Sequence, residues 1–392
     1  MGEPVVRVDE LVDQAIDVVG RDDFGEDSWR EGLDRLADGL NEEARLNDVG
    51  VAMANGEIVD YLGSRLGITS WRHDHPGIAG VPIDRPIFIV GQPRTGTTIL
   101  YDLLAQDPAN RVPLTWEVDR PCPPPRTETY DTDPRIELSQ ATADMADLVV
   151  PGFTAFHPLG ARLAQECVRI MGSDFRSMIF PVQYRIPTYD RWLIHEADMA
   201  PTYRWHRVFL EHLQSEHMAE RWLLKSPAHL WSLPALLAEY PDAVVIQTHR
   251  DPLKVIASVS ALSAHLRQMG SDHHPIAESA DQYCDDIFVG LDRGMAARAA
   301  GTLPPEQVVD VQFADFTADP FAVIAAIYDH LGVELTDEAD RRMRAFLAEH
   351  PGDGGGGGTR YTWADTGLDA EALRERARPY QDLFGVVSEP VS

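Results

Sequence analysis

The chain has 392 residues, of which 34 are basic and 63 acidic, and its formal net charge is −29. Such an acidic surface repels polyanions, which argues against nucleic acid as a partner, and the length allows one elaborated domain or two. Its three cysteines form no CxxC pair, and no histidine spacing is typical of a metal site. Because no apolar run approaches about 18 residues, we expect a cytoplasmic protein with no metal and no membrane insertion.

Apolar residues recur at helical spacing through residues 5–70, for example from Val8 to Val19. This period predicts amphipathic helices. They carry no recognisable chemistry, so we expect them to serve packing or the formation of a homodimer. The sequence therefore predicts an N-terminal helical extension over residues 1–82 and an α/β domain over residues 83–392.

The α/β domain begins with a buried strand at Ile87–Val90, a turn of sequence GQPRTGTT over residues 91–98, and a helix that opens at Thr97. Free N–H groups and the positive end of the helix dipole converge at such a junction and bind anions. The spacing is that of a phosphate-binding P-loop, except that Thr97 replaces the lysine and Arg94 supplies a cation earlier in the loop. A plain tight turn is the alternative reading.

Residues 112–117 predict a short second strand, with Glu117 at the carboxyl edge where parallel sheets bind ligands. A solvated surface charge is the competing interpretation of a lone glutamate. Residues 135–220 read as mostly helical and rich in aromatic residues, either as core or as an apolar ligand pocket. We interpret this insert as a helical cap over the sheet, which His157 and Glu166 could line.

Two further strands end in charged residues. The strand at 221–227 is ended by Pro227 and has Lys225 at its carboxyl edge, and His229 follows it. The strand at 243–248 leads into a His-Arg-Asp-Pro turn that contains Arg250. Ser258 lies eight residues further on, in the next helix, so both residues can reach one anion. Asp251 in this turn is equally suited to capping the next helix, and the two roles are compatible.

Residues 307–313 predict another strand, and a run of five glycines at 354–358 precedes Arg360. Ordering five consecutive glycines costs much conformational entropy. The segment is therefore either a flexible linker or a lid over a ligand, and the basic Arg360 favours the lid. The fold class is therefore α/β. We expect a three-layer P-loop-like fold with a central parallel sheet flanked by helices, a helical cap and the N-terminal helical extension.

From about residue 85 to 365 these motifs resemble the sulfotransferases that use 3′-phosphoadenosine-5′-phosphosulfate (PAPS). The resemblance implies that Arg250 and Ser258 bind the 3′-phosphate, that Phe313 contacts the adenine, and that Arg360 closes over the nucleotide. It also implies that the 5′-phosphosulfate is bound by Arg94, Thr95, Gly96, Thr97 and Thr98.

The match is closer to the bacterial and glycan-type branches than to the small phenol and steroid enzymes. The latter carry Lys-Thr-His with histidine as base, whereas this chain has Lys225-Ser226-Pro227. In the glycan-type enzymes the base is a glutamate about twenty residues beyond the loop, an offset that Glu117 matches. Those enzymes often have lysine where this chain has Arg94, and a guanidinium does not serve as a proton donor.

The resemblance predicts an enzyme that transfers a sulfuryl group from PAPS to a hydroxyl of a small, partly apolar acceptor and releases PAP. Sulfuryl transfer proceeds in line through a loose transition state, so positioning and charge stabilisation do most of the work. We expect Lys225 to stabilise charge and Glu117 to act as base. His229 is the next candidate base, followed by His157 or Glu166.

Two other functions stay open at this point, a P-loop nucleotide kinase-like enzyme and a non-catalytic nucleotide-binding protein. A kinase predicts a strand-end aspartate for Mg²⁺ and a lysine in the loop. The acidic surface argues against a highly sulfated glycan acceptor. The aromatic insert favours a lipid, steroid, phenol or polyketide-type metabolite, although a neutral carbohydrate stacked on tryptophan would give the same pattern.

Overall fold

A computed structural model describes residues 4–78, 80–149, 159–350 and 361–391. The Cα positions divide the chain into two compact units. The first, which we call the helical unit, comprises Met1–Ile83, Pro113–Met218 and His265–His274. The second, the sheet unit, comprises Asp84–Val112, Ala219–Ala264 and Pro275–Ser392. The division predicted from the sequence, at residues 82 and 83, remains a prediction.

The regular elements follow one another along the described parts of the chain. The strands are β1 (Ile87–Gly91), β2 (Asn110–Arg111), β3 (Arg221–Lys225), β4 (Val244–His249) and β5 (Val308–Gln312). The α-helices are α1 (Val8–Val19), α2 (Ser28–Glu42), α3 (Asp48–Asp74), α4 (Thr97–Leu104), α5 (Thr115–Asp119), α6 (Arg135–Val149), α7 (Cys167–Gly172), α8 (Ile179–Gln183), α9 (Pro187–His195), α10 (Ala200–Gln214), α11 (Leu233–Glu239), α12 (Pro252–Arg267), α13 (Ile276–Ala299), α14 (Phe313–Ala318), α15 (Pro320–Leu331), α16 (Asp337–Glu349) and α17 (Ala370–Phe384).

The sheet unit is built on five strands in the order β2-β3-β1-β4-β5, and every strand pair is parallel. The central strand β1 is buried along its whole length, as its continuous apolar run predicts. In the register of the sheet, Ile89 of β1 faces Lys225 on one side and Ile246 on the other. The carboxyl ends of β1, β3 and β4 therefore meet at one edge, and the predicted α/β fold with a central parallel sheet is confirmed.

The helical unit is organised around α1, α2 and α3, so the helices predicted over residues 5–70 are present. Their apolar faces share one core with aromatic side chains from the predicted insert. Phe175, Phe180 and Tyr189 are buried there, with Phe180 and Tyr189 packed edge to face at 6.0 Å between ring centroids. These aromatic residues stabilise the core of the unit, which favours the core interpretation for this part of the insert. A dimer-forming role for the N-terminal helices stays a prediction.

The predicted second strand at 112–117 is wrong. Strand β2 covers only Asn110–Arg111, and α5 begins at Thr115. The alternation of Val112, Leu114 and Trp116 mimics a strand, but Glu117 Oε2 accepts a hydrogen bond from Leu114 N at 2.8 Å. Such a bond from the third helical residue back to the N-cap stabilises a helix start. A smaller correction concerns Phe313, which begins α14 directly after β5 rather than ending the strand.

Candidate functional site

The turn between β1 and α4, residues 91–97, forms a narrow loop that we call the cradle. Its backbone has left-handed conformations that few residue types adopt. Gly91 has φ of 140° and lies so close to β4 that a Cβ would sit 2.3 Å from Thr248 Oγ1. Gly96 has φ of 83° at the start of α4. Arg94, between them, adopts φ of 64°, which is uncommon for a residue with a side chain. The loop is thus held in a specific shape, and strained non-glycine residues of this kind cluster at functional sites.

Side-chain hydrogen bonds fix the shape of this cradle. Thr95 Oγ1 lies 2.6 Å from both Gln92 O and Thr248 Oγ1. The buried amide of Gln92 donates to Ile287 O at 2.9 Å. These contacts leave the loop anchored to β4 and α13, while the first N–H groups of α4 lack partners within their own helix, as at every helix start. The arrangement matches an anion site at a helix N-terminus.

Lys225 lies at the carboxyl end of β3, beside the start of α4. Its side chain is 1% exposed, and its Nζ lies 3.2 Å from Thr98 Oγ1. The ammonium group also faces the ring of Tyr101, at 5.8 Å from the centroid. Lysine is rarely buried to this extent unless its charge is paired. The structure therefore brings a buried cation to the helix start at which the predicted loop ends.

Two arginines meet on the other side of the loop. Arg94 Nε donates to Ser258 Oγ at 3.1 Å, and Arg250 Nη1 donates to the carbonyl of Arg94 at 2.9 Å. The guanidinium of Arg250 lies over the ring of Phe313, with Cζ 4.0 Å from the centroid. A Cβ at Gly96 would be 3.0 Å from that same ring. Five residues predicted for nucleotide binding are thus neighbours.

The electrostatics of this cluster favour an anionic ligand. Burial lowers the pKa of the Arg94 guanidinium, the neighbouring charge of Tyr361 raises it, and the charge of Arg250 lowers it. Two like charges in close proximity repel, and a phosphate group or a carboxylate relieves the repulsion. Tyr361 is the first described residue after the glycine-rich segment. Arg360 lies outside the described residues, so its predicted role stays a prediction.

Sequence reasoning missed one member of the cluster, Glu389 near the C-terminus. Its carboxylate accepts from Arg250 Nε at 2.8 Å and from Arg250 Nη2 at 3.0 Å. Hydrogen bonding and the charge of Arg250 lower the pKa of Glu389, although partial burial opposes this. The residue follows the last helix with no local motif around it, so no signal in the sequence could have revealed the contact.

The residues predicted as bases are distributed differently. Glu117 belongs to the helical unit, where it is fully buried and closes the start of α5. Glu166 immediately precedes α7 in the same unit. His229 belongs to the sheet unit, in a short 3-10 turn after β3, and is buried with its ring edge to face with Phe88 at 5.1 Å. His157 lies outside the described residues, and each residue's role as base remains a prediction.

Within the described residues we searched for a metal site, a membrane-spanning helix and an activated thiol. Groups of three or more His, Cys, Asp or Glu arranged to hold a metal are absent from this part of the chain. No helix within the described ranges is both long and apolar enough to cross a membrane. Cys122 Sγ lies 3.6 Å from His212 Nε2, but burial raises the pKa of this thiol to about 12 and lowers the pKa of His212 to about 4. The pair is therefore neutral and is not an activated nucleophile.

Comparison with known proteins defines the class. Residues 86–337 match the model of the sulfotransferase family, and the chain belongs to that family. It is therefore a sulfotransferase, in agreement with the resemblance noted from its motifs.

Similar structures extend over nearly the whole chain. The crystal structure of sulfotransferase STF1 from Mycobacterium tuberculosis H37Rv is 34% identical with a TM-score of 0.84, covering 96% of this chain and 99% of that one. Sulfotransferase STF9 from Mycobacterium avium is 30% identical with a TM-score of 0.87, covering 99% of both. Among curated proteins, omega-hydroxy-beta-dihydromenaquinone-9 sulfotransferase Stf3 from Mycobacterium tuberculosis is 28% identical over 272 residues, or 68% of each chain.

Proposed function

We propose that this sulfotransferase uses PAPS as its donor and transfers the sulfuryl group to a hydroxyl of a small, partly apolar acceptor. The products are a sulfate ester and PAP. The observation that carries the proposal is the hydrogen bond from Arg250 to the carbonyl of Arg94, together with the ring of Phe313 against the guanidinium of Arg250. A nucleotide with phosphate groups at both ends of its ribose needs two separate cationic positions and an aromatic surface for its base.

We assign the 3′-phosphate to Arg250 and Ser258. Arginine suits this role because its planar group donates several parallel hydrogen bonds to phosphate and stacks on aromatic rings. The 4.0 Å separation of Arg250 Cζ from the centroid of Phe313 supports adenine or ribose binding next to the same ring. Ser258 Oγ accepts from Arg94 Nε, and Arg250 donates to the carbonyl of the same arginine, so Arg94 links the two residues.

We assign the 5′-phosphosulfate to the loop from Arg94 to Thr98 and to the N-terminus of α4. Lys225 supports this assignment, because its ammonium group lies 3.2 Å from Thr98 Oγ1. A cation there would offset the negative charge that develops on the leaving phosphate as the bond from sulfur to the bridging oxygen breaks. Preorganised cations cost no reorganisation when the charge appears, so this stabilisation acts mainly on the transition state.

We retain Glu117 as the proposed base. In the proposed step the acceptor oxygen bonds to sulfur, its proton passes to the carboxylate, and PAP leaves with the bridging oxygen. Such proton transfer contributes typically ~10²–10⁴ in rate. The carboxylate of Glu117 is held by the N–H of Leu114, which fixes its orientation. His229, His157 and Glu166 stay alternative bases.

The acceptor class follows from similarity and is part of the proposal. The related Stf3 is named an omega-hydroxy-beta-dihydromenaquinone-9 sulfotransferase, which supports a hydroxyl on a lipid-like body. The formal charge of −29 also disfavours an already sulfated glycan. We therefore propose a lipid-like or similarly apolar alcohol as the acceptor.

Calorimetric titration of the full chain with PAP and with Mg-ATP tests the donor. We expect PAP to bind and ATP to bind at least tenfold more weakly, because ATP lacks a 3′-phosphate for Arg250. Tighter binding of Mg-ATP would instead favour a kinase-like enzyme. Incubation with PAPS and a panel of alcohols, followed by mass spectrometry, then distinguishes an enzyme from a non-catalytic nucleotide-binding protein.

A further inference from the structure

The C-terminal segment reaches the arginine that we assign to the 3′-phosphate. Glu389 engages Arg250 through both carboxylate oxygens, at 2.8 and 3.0 Å, in a side-on fork to Nε and Nη2. Forked pairs of this kind fix the plane of a guanidinium as well as its position. Arg250 and Glu389 are 139 residues apart in the sequence, so the contact depends on the tertiary fold.

The backbone of Glu389 is itself anchored on two sides. Its N–H donates to Asp251 Oδ2 at 2.6 Å, and its carbonyl accepts from Arg374 Nη2 at 2.5 Å. Arg374 Nη1 in turn lies 2.6 Å from both carboxylate oxygens of Asp251, whose side chain is fully buried. Asp251 Oδ1 also accepts from Leu253 N at 3.0 Å, at the start of α12. Asp251 therefore caps this helix and also ties the C-terminal segment to the turn that carries Arg250.

Helix α17, which precedes the C-terminal segment, is held against β4 through contacts with His249. Tyr380 Oη lies 2.8 Å from His249 Nδ1, and the ring of Phe384 stacks on the imidazole at 4.4 Å between centroids. Burial lowers the pKa of His249, although the carboxylate of Asp310, 2.8 Å from Nε2, opposes this. The side chain of Gln312 at the end of β5 donates to the carbonyl of Phe384 at 2.8 Å. The end of the chain is thus positioned by the sheet itself.

Arg250 keeps hydrogen-bonding capacity for a ligand in this arrangement. A guanidinium has five N–H donors. The hydrogen bonds formed within the described part of the chain engage three of them, two with Glu389 and one with the carbonyl of Arg94. Phe313 covers one face of the group. The remaining two donors and the fixed plane are suited to receiving a phosphate.

We propose that Glu389 is a positioning residue for donor recognition, which holds the guanidinium of Arg250 in the orientation that binds the 3′-phosphate. This inference rests on the proposed function. A carboxylate that merely occupied an anion site would need to leave when the nucleotide binds. The backbone of Glu389 is instead tied at both its N–H and its carbonyl, which favours a fixed support that remains in place with the nucleotide bound.

The variant Glu389→Gln tests the proposal, because the amide keeps the size but loses the charge and one acceptor of the fork. The probes are PAP and AMP, which differ by the 3′-phosphate. We expect the variant to bind PAP roughly tenfold more weakly and AMP as well as the wild type does. The matched control is Glu375→Gln, which removes an exposed carboxylate of α17 paired with Arg378 and should bind both nucleotides normally.

Several outcomes would overturn the proposal. Unchanged or tighter PAP binding by Glu389→Gln would show that the carboxylate is incidental or competes with the phosphate. An equal loss for PAP and AMP would indicate a structural role without specificity. If the wild type itself shows no preference for PAP over AMP, the proposed function fails, and that result is independent of the variant.

Discussion

Replacement of Lys225 by methionine removes a buried charge from the proposed site with little change of volume. The native side chain is 1% exposed, and its Nζ lies 3.2 Å from Thr98 Oγ1, at the start of α4. We expect turnover to fall strongly and the affinity for PAPS to change little, because the cation acts mainly on charge that develops on the leaving phosphate during transfer. PAP carries that charge in full, so its affinity should fall. Retained turnover in this variant would refute the assignment.

The size of the effect follows from the burial of the site. A full unit charge at about 4 Å from the ammonium interacts by roughly 4 kcal/mol at an effective dielectric constant near 20. Since only part of a charge develops on the bridging oxygen, we expect a loss of about 2–3 kcal/mol, which corresponds to a decrease of roughly 30- to 160-fold in kcat. Mutations of single preorganised donors in other enzymes have effects of similar size.

The fold should tolerate this replacement. Loss of the charged hydrogen bond to Thr98 costs about 1.5–3 kcal/mol, but the desolvation of the ammonium is no longer required. We expect the free energy of unfolding to change by less than about 2 kcal/mol, as measured by urea denaturation. An exposed cation of the helical unit provides the control: Arg21→Met loses only a surface ion pair with Asp74 and should keep full turnover.

The assay measures release of PAP from PAPS under single-turnover conditions, with donor affinity measured separately by calorimetry. A Lys225→Met variant with wild-type turnover would show that the ammonium group does not stabilise the leaving phosphate. A variant that loses turnover only because it unfolds would show a midpoint shift in urea. The result would then indicate a structural role.

Three further substitutions test other parts of the account. Arg250→Lys should weaken PAP binding by about 10- to 100-fold in calorimetry, because lysine replaces neither the fork nor the stacking. Glu117→Gln should lower turnover by ~10²–10⁴ at unchanged PAP affinity, because the amide keeps the hydrogen bond but accepts no proton. Gly91→Ala should destabilise the fold by about 2–4 kcal/mol in urea, because its Cβ meets Thr248 Oγ1 at 2.3 Å. The control Gly385→Ala, at φ of 68° in open space, should cost only about 1 kcal/mol.

Each of these expectations has a clear contrary result. Normal PAP affinity in Arg250→Lys would remove the 3′-phosphate from that residue. Full turnover in Glu117→Gln would transfer the role of base to His229, His157 or Glu166. Equal stability of the two glycine variants would mean that the close approach of β1 to β4 does not constrain the loop.

The core of the site could be predicted from the sequence because its signals are local. A continuous apolar run identifies β1, the two glycines define the turn, and the helix follows at once, all within residues 87–104. The spacing of Arg250, just before α12, and Ser258, on that helix, is also a local signal. Parallel strands then bring their carboxyl ends to one edge, so Lys225 could be expected beside the loop without further information.

The rest depends on contacts that leave no local pattern. Glu117 follows an alternation of apolar residues that is equally typical of a strand, but the backbone forms a helix there, and Glu117 Oε2 accepts from Leu114 N at its start. Glu389 contacts Arg250 across 139 residues. No periodicity or motif encodes such a pair, since the position of the last residues is set by His249, Asp251 and their partners on α17.

The most direct test of PAPS-dependent sulfuryl transfer uses the full chain with PAPS labelled in its sulfuryl group and a lipid-like alcohol as acceptor. We expect label to appear in the acceptor as a sulfate ester, with one PAP released for each ester formed. If PAPS is neither bound nor consumed with any alcohol tested, while another nucleotide is, PAPS-dependent transfer is refuted.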